Sequence, residues 1–215
     1  MGNIFLEYDF GIPRLVCTDC GKCESIMGMS LCNIINRGCC HYFPEFTLVD
    51  IHRMVLTPGG MQALDTILQN PGTVINNSDI LARGFFDKEG YEKYIHDGQF
   101  IETGTITDHT IFFRTCPFVK PDSGCIFPPR FRTTICNFFI CREILERPDL
   151  QYDFKPFIEE RSRYSRWIYR ESGELMHILS ENKVNLVLDF DGSLEVLRRI
   201  PLSVYEFPAL PEVEY

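Results

Sequence analysis

The sequence predicts a helix-dominant α+β fold: an irregular, cysteine-rich metal-binding core with flanking helices and a small β element. Three observations predict it. Apolar residues recur at helical spacing over residues 51–68 and 156–180, β-favouring residues gather in 100–115 and 184–190, and ten cysteines fall into two separated blocks. A chain of 215 residues, 45% apolar and 24% charged, is long enough to bury a core and too apolar to be disordered throughout.

In chain order, Thr47-Leu48-Val49-Asp50 reads as a capping-box start leading into Ile51–Leu56. Thr57-Pro58 restarts a second helix with Pro58 at its first position and Met61, Leu64, Ile67 and Leu68 on one face; Asn70-Pro71-Gly72 ends it. Ser78-Asp79 is expected to cap a short third helix through Leu81 and Phe85. Thr105, Ile106, Thr107, Thr110, Ile111 and Phe112 favour strand. Phe157, Tyr164, Ile168, Leu175 and Leu179 form one helical stripe, with Ser172-Gly173 as a candidate break. Val184, Leu186, Leu188 and Phe190 alternate as a strand ending at an Asp191-Gly192 turn, a plainer reading of Asp189–Gly192 than a calcium loop. Pro201, Pro208 and Pro211 imply an extended tail. Two parts are expected: a cysteine-cluster domain over 1–150, and a helix and strand extension over 151–215 packed on it.

The charge balance excludes some classes of partner. A net charge of −9 opposes general nucleic-acid binding, which depends on Lys and Arg neutralising phosphates. Arg163, Arg166 and Arg170 share a helix face, and a solvated stripe beside core aromatics accounts for them. No apolar run nears the ~20 residues needed to cross a bilayer, so no membrane partner is expected. The start lacks the basic and apolar regions of a signal peptide, which makes the cytoplasm the expected compartment.

Ten cysteines in such a chain point to metal or redox chemistry before disulfides. Cys17, Cys20 and Cys23 form C-x2-C-x2-C, a spacing that aims successive thiolates at one centre while backbone N–H groups turn inward. It opens the ferredoxin-type run, and so places an iron–sulfur cluster, 4Fe-4S, ahead of Zn2+. Met27-Gly28 stands where that run needs Cys-Pro, and Cys116-Pro117 supplies a remote Cys-Pro. Both metals require a fourth ligand from elsewhere in the chain. Cys39-Cys40-His41 is a second concentration, in which His41 is either a ligand or bonded to a backbone carbonyl. Cys125, Cys136 and Cys141 complete the middle block among aromatics and prolines able to exclude water. Cys17, Cys20, Cys23 and Cys116 are expected to centre one site. Cys125, Cys136, Cys141 and one or both of Cys39 and Cys40 are expected to complete it or form a second, leaving Cys32 aside.

The CTDCGKC run, the GCCHYFPEFTLVDIHRM segment and the CPF…GCIFPPRFRTTICNFFIC block resemble a bacterial cysteine-cluster family of the YkgJ type, with its CxxCxxCC zinc- or iron-chelating domain. Cys17, Cys20, Cys23, Cys116, Cys125 and Cys136 match the family's cysteines. Glu24 stands at its fourth position, Cys39-Cys40 stands as a displaced pair, and Asn137 replaces its arginine. The resemblance covers residues 17–141 and implies iron or zinc binding. Three roles follow as expectations: a structural or sensory metal in a protein that binds a protein partner, an iron–sulfur oxidoreductase, or a metal-holding and delivery protein. Flagellin lysine N-methylases carry a similar cluster, but this chain shows no Gly-rich nucleotide loop to support that reading. No catalytic residue is assigned, and whether the chain is an enzyme is left open.

Overall fold

The computed structural model describes residues 2–22, 24–32, 37–98, 100–102, 106–120 and 124–214. It is mixed helix and sheet, 46% helical and 16% strand, in agreement with the α+β, helix-dominant class.

The chain opens with a hairpin of β1 (Asn3–Asp9) and β2 (Ile12–Cys17), joined at Phe10-Gly11. Cys17 closes this ladder opposite Ile4, at the point where the C-x2-C-x2-C run begins. The other edge of β1 pairs with β10 (Val213–Glu214), so the tail, irregular over 201–212, returns to the N-terminus.

Strand β3 (Glu45–Thr47) runs into α1 (Leu48–Leu56). The capping box forms: Thr47 accepts from the Asp50 N–H, and the Asp50 carboxylate accepts from the Thr47 N–H at 3.0 Å. Every residue of α1 from Leu48 to Met54 is buried. A helix wrapped on all sides marks the centre of a core. Around it pack α2 (Gly60–Gln69), one stripe of α6 (Gln151–Glu181) and α7 (Phe190–Arg198), bringing Leu64, Ile67, Tyr164, Ile168, Leu175, Leu179, Leu194 and Leu197 into one cluster. Helix α6 runs through Ser172-Gly173 without a break.

Helix α2 starts two residues later than Pro58 implies. The chain reverses tightly, with the Gly60 N–H bonded to the Thr57 carbonyl at 2.9 Å and Gly59 at φ +82°. A Cβ at Gly60 would lie 1.9 Å from the Met54 carbonyl oxygen. The two glycines and Pro58 are therefore consumed by the turn, and the helix ends at Asn70 as expected.

Three other expectations are corrected. Asp79–Ala82 is strand β5, paired with β3 and with β4 (Thr73–Ile75), and not a capped helix. Ile80 and Ala82 are both buried, a period of two, and Asn76 closes the turn on Asp79. The β-like stretch becomes a 3-10 turn at His109–Phe113, because Asp108 caps it and Ile111, Phe112 and Phe113 are all buried. Among the described residues only Arg114–Thr115 (β7) is strand there, paired with Phe85–Phe86 (β6), while Thr105 lies outside them. Residues 184–189 form no strand. The Asn185 side chain accepts from the Val187 and Leu188 N–H groups, and Asp189 caps α7, so Asp191-Gly192 falls inside that helix. Local side-chain acceptors outcompete the alternation, and Leu188 is left 76% exposed.

Helix α3 (Lys88–Asp97), capped by Asp87, has no counterpart in the sequence pattern and contributes no buried residue. The middle cysteines ride on short elements: the β8–β9 hairpin (Val119–Lys120 with Gly124–Cys125), α4 (Thr134–Asn137) and α5 (Arg142–Leu145). Arg163, Arg166 and Arg170 face solvent, as a solvated stripe requires. Among the described residues no helix is long and apolar enough to cross a membrane.

Candidate metal centre

Nine cysteines are described, Cys17, Cys20, Cys32, Cys39, Cys40, Cys116, Cys125, Cys136 and Cys141, and no disulfide joins any two of them. Cys23 lies outside the described residues. Five of the thiols gather from three stretches of chain. Cys39 and Cys40 sit on the 3-10 turn Gly38–His41, which α4 packs against. The Cys116 N–H bonds to the Cys40 carbonyl at 2.8 Å, tying the two blocks together by backbone. A turn closed by Val119 N–H to the Cys116 carbonyl then leads into the β8–β9 hairpin, which sets Cys125 opposite Val119. Cys136 is the third residue of α4.

The sulfurs of Cys116, Cys125 and Cys136 each face hydrogen-bond donors. The Cys116 thiol is approached by the Phe118 and Val119 backbone N–H groups, and the Cys125 thiol by that of Phe127. Thr133 caps α4 and accepts from the Cys136 N–H at 3.3 Å, while its hydroxyl donates to the Cys136 sulfur at 3.2 Å and its backbone N–H turns to the same atom. This is a capping box in which a thiol holds the position normally given to Glu or Gln. Arg132 and Arg14 add positive potential at Cys125. Such donors favour the thiolate over the thiol, and the thiolate is the metal-ligating form.

Without a cation, those donors lose to crowding. Burial pushes Cys116 up to about 12 and raises Cys125 as well, and each feels the neighbouring Cys136. Cys39 and Cys136 share a hydrogen bond that lowers Cys39 and raises Cys136. The Cys40 hydrogen bond, burial and nearby Cys40 and Cys125 then carry Cys39 upward too. All four folded-state values lie above the ordinary 9.0, so the folded, metal-free chain retains protons that an unfolded chain releases. Stability from these groups is therefore complete below about pH 9 and is lost as pH rises toward the raised values. Each tenfold weakening of a thiol's acidity on folding is worth about 1.4 kcal/mol. Urea unfolding of metal-free protein should show a midpoint that holds between about pH 7 and 8 and falls steeply by about pH 10. A midpoint that rises with alkalinity would contradict this arrangement.

The other four described cysteines have the following neighbours. Cys17 packs beside a second apolar cluster of Ile4, Leu150, Phe154, Phe157 and Val213. Cys20 is exposed, and its carbonyl accepts from Arg37 at 3.1 Å. Cys141 precedes the first residue of α5 without a side-chain cap bond, contacts the Ser25 hydroxyl at 3.6 Å, and lies in a third cluster with Met27, Ile111, Phe112 and Phe113. Cys32 is buried against the Thr115 hydroxyl at 3.1 Å. His41 is buried, with Nδ1 3.1 Å from the Ile111 carbonyl oxygen and Nε2 3.0 Å from that of Met27. Its ring lies between the loop after the first cysteine run and the 109–113 turn; desolvation lowers its pKa, and the neutral ring donates to one of the two carbonyls.

Among the described residues, no three His, Cys, Asp or Glu side chains are set to hold a metal ion as they stand. The donor chemistry is nonetheless uniform. Five sulfurs, with no carboxylate or imidazole among the partners just described, suit a thiophilic centre, zinc or iron–sulfur, over calcium or magnesium. Arg14, Arg132 and Thr133 do not stand out in the sequence, although Thr133-x-x-Cys136 carries a recognisable capping spacing. No family model, curated protein or solved structure matches this chain.

Proposed function

We propose that the protein is a metal-binding protein that holds an iron–sulfur cluster or zinc through clustered cysteine thiolates. Cys39, Cys116, Cys125 and Cys136 are the principal ligands, with Cys40 beside them. Cys17, Cys20, Cys23 and Cys141 complete the set or build a second centre. The observation that carries this reading is the ring of N–H and O–H donors already aimed at the sulfurs of Cys116, Cys125 and Cys136. Donors of this kind offset the negative charge that accumulates when several thiolates share one cation. Closing the set requires the side chains to swing onto the ion, and each ligand releases its proton as it does so.

The test is elemental analysis with absorption spectroscopy on protein purified without oxygen. Stoichiometric iron with acid-labile sulfide, and a band near 400 nm that bleaches on reduction, identifies the cluster. A colourless protein with stoichiometric zinc identifies the structural form. Protein that is folded, lacks both metals and does not take them up on reconstitution would refute the proposal. The structural or sensory role, in which the metal shapes a surface for a protein partner, requires unfolding under chelator; retention of fold with ready exchange favours metal holding and delivery.

A further inference from the structure

A cleft of about 380 Å³ opens between α4 with the Phe138–Ile140 segment behind it, Tyr42 and the middle of α6. Small-molecule sites occupy roughly 300–1,000 Å³, so this one is large enough to hold a ligand. Its aromatic walls are Phe138 and the tilted pair Tyr42 and Phe139, whose ring centroids lie 6.4 Å apart. Its polar groups are Arg161 and Ser165 on α6, Thr134 on α4 and the Tyr42 hydroxyl. No cysteine lines it.

The fold itself makes no use of these polar groups. Arg161 stands between Phe157 and Ile158 on one turn and Tyr164 and Ser165 on the next, so no carboxylate occupies its neighbouring helical positions. Arg163, two residues on, has both Glu159 and Glu160. Ser162 returns its hydroxyl to the Ile158 carbonyl at 2.8 Å, as a mid-helix serine can, whereas Ser165 makes no such bond. Among the described residues the Arg161, Ser165, Thr134 and Tyr42 side chains have no hydrogen bond or ion pair. None of their polar atoms is among the enclosed ones that lack a partner, so these donors are open to solvent.

The direction of Arg161 follows from its two surroundings. On one side it borders a narrow gap whose other lining residues, Phe154 and Phe157 among them, are all apolar. On the other lies the cleft. An arginine lays its methylene stem on apolar surface and keeps its guanidinium in water, which puts the charged end in the cleft.

We propose that this cleft binds a phosphate monoester with a flat aromatic body. Arg161 and Ser165, one turn apart on α6, donate to the phosphoryl group from one side, and Thr134 donates from α4. The body packs on Tyr42 and Phe139. A guanidinium is suited to phosphate oxygens, and donors carried on two separate elements suit three terminal oxygens set tetrahedrally. The site uses none of the thiols and stands or falls apart from the metal reading.

Calorimetric titration of phenyl phosphate into the whole 215-residue chain should show one saturable site, with phenol at least about tenfold weaker and benzoate severalfold weaker. Arg161→Met keeps a stem over the apolar gap and removes the charge. It should weaken phenyl phosphate about tenfold while the thermal midpoint holds, because Arg161 bonds nothing in the fold. Ser165→Ala should weaken it severalfold. Arg166→Met removes an exposed positive side chain of the same helix from outside the cleft, and should leave the affinity unchanged. Absence of binding, tighter binding of benzoate, wild-type affinity in Arg161→Met, or an equal loss in Arg166→Met would overturn the proposal.

Discussion

Replacing Cys136 or Cys116 by serine should abolish the proposed metal binding, whereas Cys32→Ser should leave it unchanged. Cys116 is buried and Cys136 half-buried, and both sulfurs face backbone or hydroxyl donors and interact with other thiols. A hydroxyl at either position offers a hard, protonated oxygen where a soft thiolate is needed. The loss of affinity should exceed the roughly 100-fold typical of deleting an outer-shell partner. Stability should follow: protein holding metal at about 1,000 times its dissociation constant gains about 4 kcal/mol, and the variants forfeit it. Cys32 instead bonds Thr115 and Ser30. The check is metal content per chain beside the urea midpoint with and without chelator. Wild-type metal content in both Cys136→Ser and Cys116→Ser would remove these residues from the ligand set.

The Asp50–Arg53 pair in α1 should produce the second large effect. Its side chains are 2% and 5% exposed, and Arg53 Nη2 lies 2.7 Å from Asp50 Oδ1. The second Asp50 oxygen accepts from the Thr47 N–H and hydroxyl, both at 3.0 Å, while Arg53 also bonds the carbonyls of Arg130 and Arg132 at 2.7 and 3.1 Å. Arg53 therefore fastens the central helix to the loop that ends at Thr133 and the Cys136 helix. Arg53→Met leaves a buried carboxylate and two carbonyls unmet, and should cost about 3–5 kcal/mol. Adding Asp50→Asn to it should return at least about 1 kcal/mol, because the stranded charge is gone. Urea unfolding of the two single variants and the double variant measures this. Strict additivity would show that the pair does not act as a unit.

Much of the helical frame was legible in the residues, for identifiable reasons. The Thr47–Asp50 capping box, the Asn70 stop and the stripe from Phe157 to Leu179 are local patterns, and each is satisfied within its own helix or against one neighbour. What failed was decided by side-chain acceptors or by tertiary pairing. Alternation at 184–190 lost to Asn185 and Asp189. The 76–79 turn and the N-terminal hairpin, closed by Phe10-Gly11, lacked the glycine-rich turns that announce a hairpin. At the candidate centre, residue type, block structure and the joining of Cys39 or Cys40 to the middle thiols were expected from sequence, but the geometry of that meeting was not legible there. It depends on a single backbone bond between residues 76 positions apart, Cys116 to Cys40, and on how α4 packs against the Gly38–His41 turn. The donors around the sulfurs likewise arise from turns that only the fold creates.

X-ray absorption at the metal edge, on protein isolated without oxygen, tests the central claim most directly. A first shell of sulfur is expected, at about 2.3 Å if the metal is zinc, and it should be lost in Cys136→Ser. A first shell of only nitrogen and oxygen, or folded protein that carries no metal at all, would contradict the account.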